Sequence, residues 1–383
     1  MNIPVHSHRV LPVCLLVRIG SLVLIFTALS GVFCRAQEES DKPQGRLITS
    51  LAIAINRSTH KVYAVNERVG TVSVIDERTG STGTVKVGNG PIALAVNHKT
   101  NRIYVVNAGS GTISVINGEQ DALIATIKGE PHPYSLAVNE ATDKIYVTNT
   151  YSNSVTVIDG VTNTAEPLKV GSADGIAIDA QSNTIFLTTY EDPYIRIVNG
   201  TTGVVSRVRV GPHLWGITFD PSSRNVYLAH TGSADIVSLN ENTHNVSTIS
   251  VGSIPCAVAI NPLTHRIYAV NYGDETVTVI DAVKSKKLAT LHVGKHPQAV
   301  AIDPVHNLVY VANVHGNSVT VVDGAKNIVV GTYDAGMSPY ALAVDPVLGR
   351  IYAADYGDPS VEAVDTSAYS HRPTRQIKAS GAW

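Results

Sequence analysis

Lys144-Ile145-Tyr146-Val147-Thr148-Asn149 decides the fold, because close copies of it return every forty to forty-two residues along the 383-residue chain. The copies carry Tyr63, Tyr104, Tyr146, Phe186, Tyr227, Tyr268, Tyr310 and Tyr352. Upstream of each lies an apolar segment ending in Asn or Asp, as in Leu94-Ala95-Val96-Asn97 and Leu342-Ala343-Val344-Asp345. Downstream comes a β-branched run such as Thr276-Val277-Thr278-Val279-Ile280-Asp281, then a fourth segment such as Thr84-Val85-Lys86-Val87-Gly88. Val, Ile, Thr and Tyr fill the segments, and Gly, Pro, Asn and Asp bound them, which is the composition of short strands and tight turns. Four strands per unit at this period predict an all-β propeller of four-stranded blades rather than a solenoid.

Eight β-branched runs, ending at Asp76, Asn117, Asp159, Asn199, Asn240, Asp281, Asp323 and Asp365, match the eight tyrosine-type segments. Residues 47–381 therefore read as one domain with no linker inside it. An eight-bladed ring is the preferred arrangement; a seven-bladed ring with one repeat outside it is the alternative. Either 46–50 or 375–379 supplies the strand that closes the last blade. The strands are continuously apolar because neighbouring blades cover both faces of each sheet, so alternation is lost. Acids in turns such as Asp345-Pro346-Val347-Leu348-Gly349-Arg350 are read as turn chemistry, with Asp or Asn capping and Pro setting φ.

Residues 1–36 stand outside the repeat. Arg9 and Arg18 precede an apolar run from Ile19 to Phe33, and Cys34-Arg35-Ala36 offers small residues at the two positions a signal peptidase reads. Fifteen apolar residues fall short of the roughly 20 that span a bilayer, so a cleaved secretory signal is expected here rather than a retained anchor. Residues 37–46, polar and with Pro43, read as a flexible lead-in.

Removing Arg9, Arg18 and Arg35 leaves 26 basic residues against 31 acidic, a net charge near −5. That balance excludes a general affinity for nucleic acid. The basic run Lys284, Lys286, Lys287 reads as a solvated turn between third and fourth strands. With Cys14 and Cys34 in the signal, Cys256 is the one cysteine left, so no intrachain disulfide is possible. It reads as a small apolar core residue.

Tyr146-Val147-Thr148-Asn149 spells the signature of the YVTN-repeat β-propeller family, and Tyr104-Val105-Val106-Asn107, Tyr268-Ala269-Val270-Asn271 and Tyr310-Val311-Ala312-Asn313 are near copies. The chain resembles that family over residues 47–381, including a recurring Val-Gly-x-x-Pro, as in Val251 to Pro255 and Val293 to Pro297. The resemblance implies an exported or cell-surface propeller of bacteria or archaea, mostly without known catalysis and usually described as seven-bladed. The eight repeats depart from that count.

Loops from each fourth strand to the next first strand, and from second to third strands, share one face of a propeller and surround one mouth of its channel. Positions that vary there while the framework repeats are the informative ones. Flanking the loop proline or its equivalent are His132, Tyr134, Asp174, His213, Trp215, His296, Gln298 and Tyr340. The second-to-third strand loops add Tyr151, Tyr190, Glu191, Asp192, Tyr272, Asp274, His315, Tyr356 and Asp358. From these, His132, Tyr134, Asp174, Tyr190, His213, Trp215, His296, Gln298 and Tyr340 are the candidate ligand-binding set, an aromatic and imidazole-lined mouth suited to stacking and hydrogen bonding. Taken singly, each reads as a cover for loop backbone, and only the group reads as a binding mouth. Phe186, Thr189 and His230 break the pattern in the fourth and fifth repeats, which marks either a working sector around Asp174, Tyr190, His213 and Trp215 or simple drift.

His132, His213 and His296 hold equivalent places in the third, fifth and seventh repeats and are secondary metal candidates. Against them, an eight-bladed mouth is wide beside the about 2.0–2.1 Å reach of a zinc-bound imidazole. The chain has no H-E-x-x-H, G-x-S-x-G or C-x-x-C-H motif and no EF-hand loop, so no catalytic residue is assigned and no cofactor is expected. The reading is a monomeric, exported, non-catalytic scaffold, periplasmic or at the cell surface, recognising protein, peptide or glycan with its mouth loops. The alternative is a periplasmic lactonase- or hydrolase-like enzyme, or a metal-binding protein, with its site at the same mouth.

Overall fold

The structure is a computed structural model that describes residues 18–19, 22–23, 51–356 and 361–364. Leu47–Trp383 is one compact unit and Met1–Arg46 another. In the latter only the short antiparallel pair Arg18–Ile19 with Leu22–Val23 is described. The expected signal, its cleavage after Ala36, the lead-in, both candidate closing strands and Asp358 otherwise lie outside the described residues.

The repeats fold as predicted. Blade 3 comprises Pro133–Asn139, Lys144–Asn149, Val155–Asp159 and Ala165–Leu168, a four-stranded antiparallel meander in chain order. Blades 1 to 8 run over 53–86, 91–128, 133–168, 175–209, 214–250, 255–292, 297–334 and 339–364. The first seven have four strands each, and blade 8 has three among the described residues. First strands of neighbouring blades touch one another and ring the channel, while fourth strands such as Thr82–Lys86 are largely exposed at the rim. No described residue is helical.

Three polar devices explain the signature. The aromatic ring of each second strand, Tyr in all blades but the fourth, is buried between blades, and where a Tyr hydroxyl is bonded it stitches one blade to the next. Tyr63 Oη donates to Asp121 Oδ1 at 2.7 Å in blade 2, and Tyr146 Oη to Asn183 Oδ1 at 3.2 Å in blade 4. The Asn that ends the motif pins its own hairpin through third-strand hydroxyls. Asn149 Nδ2 donates to Thr156 Oγ1 at 3.1 Å, Asn271 Nδ2 to Thr276 and Thr278 at 2.9 Å, and Asn313 Nδ2 to Thr320 Oγ1 at 2.9 Å. These groups are buried, so leaving any of them unbonded would cost about 1–3 kcal/mol. The Gly of Val-Gly-x-x-Pro lies against that same Asn: a Cβ on Gly294 would stand 2.6 Å from Asn313.

On the opposite face, a third contact joins the ends of four first strands to the next blade. Asn56 Nδ2 meets Asn101 Oδ1 at 2.5 Å, Asn97 meets Asp143 at 2.7 Å, Asn139 meets Asn183 at 2.8 Å and Asn261 meets Asn307 at 2.9 Å. A glycine follows the third strand at these junctions because the amides fill the space. A Cβ on Gly118 would lie 2.1 Å from Asn101 Oδ1, and one on Gly324 2.6 Å from Asn307 Oδ1.

The ring closes with eight blades. Arg102 of blade 2 donates to the Gly160 carbonyl of blade 3, Arg266 of blade 6 to that of Gly324 in blade 7, and Arg350 of blade 8 to that of Glu77 in blade 1. One apolar cluster also joins Ala341, Ala343, Tyr352, Ala354 and Val361 to Ile53, Val62, Tyr63 and Val72. Every repeat is therefore inside the ring, and the seven-bladed alternative is excluded. Cys256 is buried as expected, and burial pushes its thiol up to about 12, which removes it from thiolate chemistry.

Candidate functional site

The residue before the loop proline takes a left-handed backbone at Gly90, His132, Ile254, His296 and Ser338, as does His213 before Leu214. Its carbonyl accepts from the second-to-third strand loop of the same blade: Thr150 N to His132 O at 2.9 Å, Thr231 N to His213 O at 3.0 Å, Val314 N to His296 O at 3.1 Å. The two loop sets are thereby fastened together on one face, and their side chains pair. Imidazole is also among the side chains that tolerate positive φ, which supplies a backbone reason for histidine here.

The pairs fall in separate sectors. His132 lies edge-on to Tyr151 with ring centres 6.2 Å apart, and Tyr340 edge-on to Tyr356 at 5.8 Å. Tyr272 stacks on His296 at 4.6 Å, and the Nδ1 atoms of His296 and His315 are in hydrogen-bond contact. Between blades 4 and 5, Tyr190 touches both His213, at 4.9 Å, and Trp215, at 5.6 Å. His132, His213 and His296 thus each have a different partner. Among the described residues they belong to no group of three metal-ligating side chains.

Position two of the first strand carries Tyr134, Trp215, Gln298 and Tyr340, and Asp174 immediately precedes the first strand of blade 4. Tyr134 and Tyr340 are half-buried, while Asp174, Trp215 and Gln298 are buried, each close to the start of a first strand. In blades 3, 5, 7 and 8 a bulge interrupts the pairing at this position.

The divergent sector has the densest chemistry. In blade 4, Thr189 and Arg196 stand where blade 3 has Asn149 and Thr156, and Arg196 Nη2 donates to Thr189 Oγ1 at 2.6 Å. Its guanidinium also donates to the carbonyls of Val170, at 3.0 Å, and Ser172. Asp174 Oδ2 accepts from the Tyr190 N–H at 2.9 Å, whereas its buried Oδ1 has no hydrogen-bond partner. Burial raises the Asp174 pKa above the usual carboxylate range, opposed by that N–H and by Arg196. The rim is polar: Asp192 pairs with Arg207 at 3.1 Å, and Glu191 reaches His213 Nε2 at 3.9 Å. Arg207 lies over the Tyr194 ring at 4.7 Å. In blade 5, His230 replaces the motif Asn and meets Asp235 at 3.1 Å.

Three solved structures resemble this chain in fold. Hydrazine synthase from Kuenenia stuttgartiensis is 18% identical over 85% of this chain and 99% of its own, with a TM-score of 0.57. Apo AztD from Citrobacter koseri is 15% identical over 84% and 95%, at 0.65. Dihydro-heme d1 dehydrogenase NirN, in complex with DHE, is 11% identical over 86% and 74%, at 0.68. The chain is an eight-bladed β-propeller. At these identities the likeness shows the fold alone. No family model matches the propeller's sequence, and no curated protein does.

The junction that closes the ring contains residues the sequence reading passed over. His60, Glu77 and Asp345 have ligand atoms that all lie within 4.8 Å of one another, on the face opposite the mouth. The available signal was positional: Glu77 stands where Gly118, Gly160, Gly200 and Gly324 stand in other blades, and His60 where Asn101, Asn183 and Asn307 do. No helix among the described residues is long and apolar enough to cross a membrane.

Proposed function

We propose that this propeller is an exported scaffold of the YVTN-repeat kind, acting as a monomer in the periplasm or at the cell surface. Its mouth loops recognise a protein, peptide or glycan of the cell envelope, and it takes no part in nucleic-acid binding. One observation carries the reading: among the described residues the two most exposed aromatic side chains, Tyr151 at 90% and Tyr356 at 55%, both belong to the mouth loops. The large apolar residues exposed at the turns of the opposite face, Val161, Leu263, Val283, Val305 and Val347, are aliphatic. Flat amphipathic rings beside imidazoles suit stacking on sugar or peptide with polar groups fixing orientation. Binding of cell-wall glycans and peptides to residues 37–383, compared with Tyr151→Ala, Tyr190→Ala and Tyr356→Ala, tests it. Affinity lost in these variants but kept in Val283→Ser supports mouth recognition; equal affinity in all rules it out.

Asp174 favours a second reading, an enzyme working at the mouth. A buried carboxyl with a raised pKa and one oxygen without a partner, next to Tyr190 and Trp215, has the character of a general acid. Turnover of a lactone or ester by the wild type, abolished in Asp174→Asn, would establish this reading. Absence of turnover across such a panel would leave the scaffold.

A further inference from the structure

Two of the eight junctions on the face opposite the mouth depart from the amide stitch in the same direction. Between blades 4 and 5, Asp179 and Glu241 take the places held by Asn and Gly at the amide junctions, and Arg224 stands between them. Its Nη2 is 2.8 Å from Asp179 Oδ2 and 2.5 Å from Glu241 Oε2. A cation thus occupies the pocket that two buried carboxylates create.

Between blades 8 and 1 the same two positions again hold carboxylates, Asp345 and Glu77, but the third holds His60. Both acids are 1% exposed. No hydrogen bond of good geometry reaches either Glu77 oxygen, Asp345 Oδ2, the His60 Nδ1 atom or the Tyr352 hydroxyl, although Asp345 and Tyr352 lie close enough to Glu77 to act on its carboxyl. Asp345 Oδ1 is used, accepting from the N–H groups of Val347 and Leu348 in the turn. Arg350 is near, but its hydrogen bond goes to the Glu77 backbone carbonyl. Three buried carboxylate oxygens, an imidazole nitrogen and a hydroxyl converge with no well-formed hydrogen bond among them, a costly arrangement unless something fills it.

We infer that His60, Glu77 and Asp345 form a binding site for a divalent first-row transition cation, which performs at the ring closure the task that Arg224 performs between blades 4 and 5. One imidazole and two carboxylates are a donor set for Zn²⁺ or its neighbours rather than for Mg²⁺ or Ca²⁺, which take oxygen alone. His60 Nδ1 lies 3.8 Å from Asp345 Oδ2, a separation two ligands of one ion can have when each bonds at about 2.0–2.2 Å. The His60 side chain is 21% exposed, which opens a route from solvent. Because the ion joins the first blade to the last, binding it fastens the ring.

Other blades supply the test variants. His60→Asn, Glu77→Gly and Asp345→Asn each restore a residue that native junctions already use, so the triple variant is expected to fold with an ordinary amide stitch. The full chain beyond the signal is treated with chelator and titrated with Zn²⁺, following heat and thermal midpoint, with Mg²⁺ as comparator. His296→Ala/His315→Ala serves as the background, so that the histidine pair at the mouth does not contribute. One Zn²⁺ per chain, a midpoint rise on the order of 5 °C at saturating metal, and loss of both in Glu77→Gln and in the triple variant are expected. Binding that persists in these variants would overturn the site, as would the absence of stoichiometric binding to the parent.

Discussion

Arg196 Nη2 donates to Thr189 Oγ1 at 2.6 Å in blade 4, across the same hairpin on which Asn149 Nδ2 donates to Thr156 Oγ1 at 3.1 Å in blade 3. Donor and acceptor have changed sides of the hairpin while the link between second and third strands is kept. Reverting one partner strands the other. Arg196→Thr should destabilise by about 1–3 kcal/mol, because Thr189 and the carbonyls of Val170 and Ser172 lose a charged donor. Adding Thr189→Asn should recover most of the loss by rebuilding the common pin. Urea midpoints of the two single variants and the double variant measure the coupling.

The same pair shows what the sequence made legible. A period of forty to forty-two residues marks every blade, because most blades share the buried Tyr, the hairpin pin and the glycine beside it, and the divergent blades keep the same four strands. Phe186, Thr189 and His230 stood out as breaks, and they do lie in the sector where Arg196, Asp174, Tyr190 and Trp215 come together. The pairing of mouth side chains was not legible. It depends on carbonyls such as His132 O and His296 O fastening two loops, which leaves no mark on side-chain identity. Nor was the closing junction, since Asp345 looks like any turn acid until His60 and Glu77 arrive from the other end of the chain.

Inter-blade stitching should be measurable at Tyr63. Its hydroxyl donates to Asp121 Oδ1 at 2.7 Å and is 3.2 Å from the Gly118 carbonyl. Tyr63→Phe keeps the ring and removes the bond, so a loss of about 1–2 kcal/mol is expected. Phe186, which holds this position natively in blade 4, shows that the fold accepts the smaller side chain. Thermal or urea unfolding checks the magnitude.

The metal-free protein should lose stability as pH rises. Burial, and then the neighbouring Asp345 carboxylate, push the Glu77 carboxyl from 4.5 up to about 8. A group whose pKa is higher in the folded state binds its proton more tightly there. Its contribution is complete below pH 4.5 and is lost as pH climbs to about 8. His60, Tyr352 and Arg350 share the pocket, and Arg350 opposes part of the shift. In chelator, Glu77→Gln should therefore be more stable than the parent at pH 8.5, by on the order of a few kcal/mol, and equal to it near pH 4. Thermal midpoints over that range decide it.

Tyr190 shields Trp215, which is 6% exposed and 5.6 Å from it, edge to face. Tyr190→Ala should red-shift the emission of Trp215 in a Trp383→Phe background. A mouth ligand should shift the parent's emission back toward the blue or quench it.

The most direct measurement of the central claim is photo-crosslinking in cells that produce the chain. A benzophenone side chain is placed at Tyr151 or Tyr356 on the mouth face, and at Val283 or Val347 on the other. Adducts from the two mouth positions, with none from Val283 or Val347, are predicted. Adducts from the opposite face with none from the mouth would contradict the account.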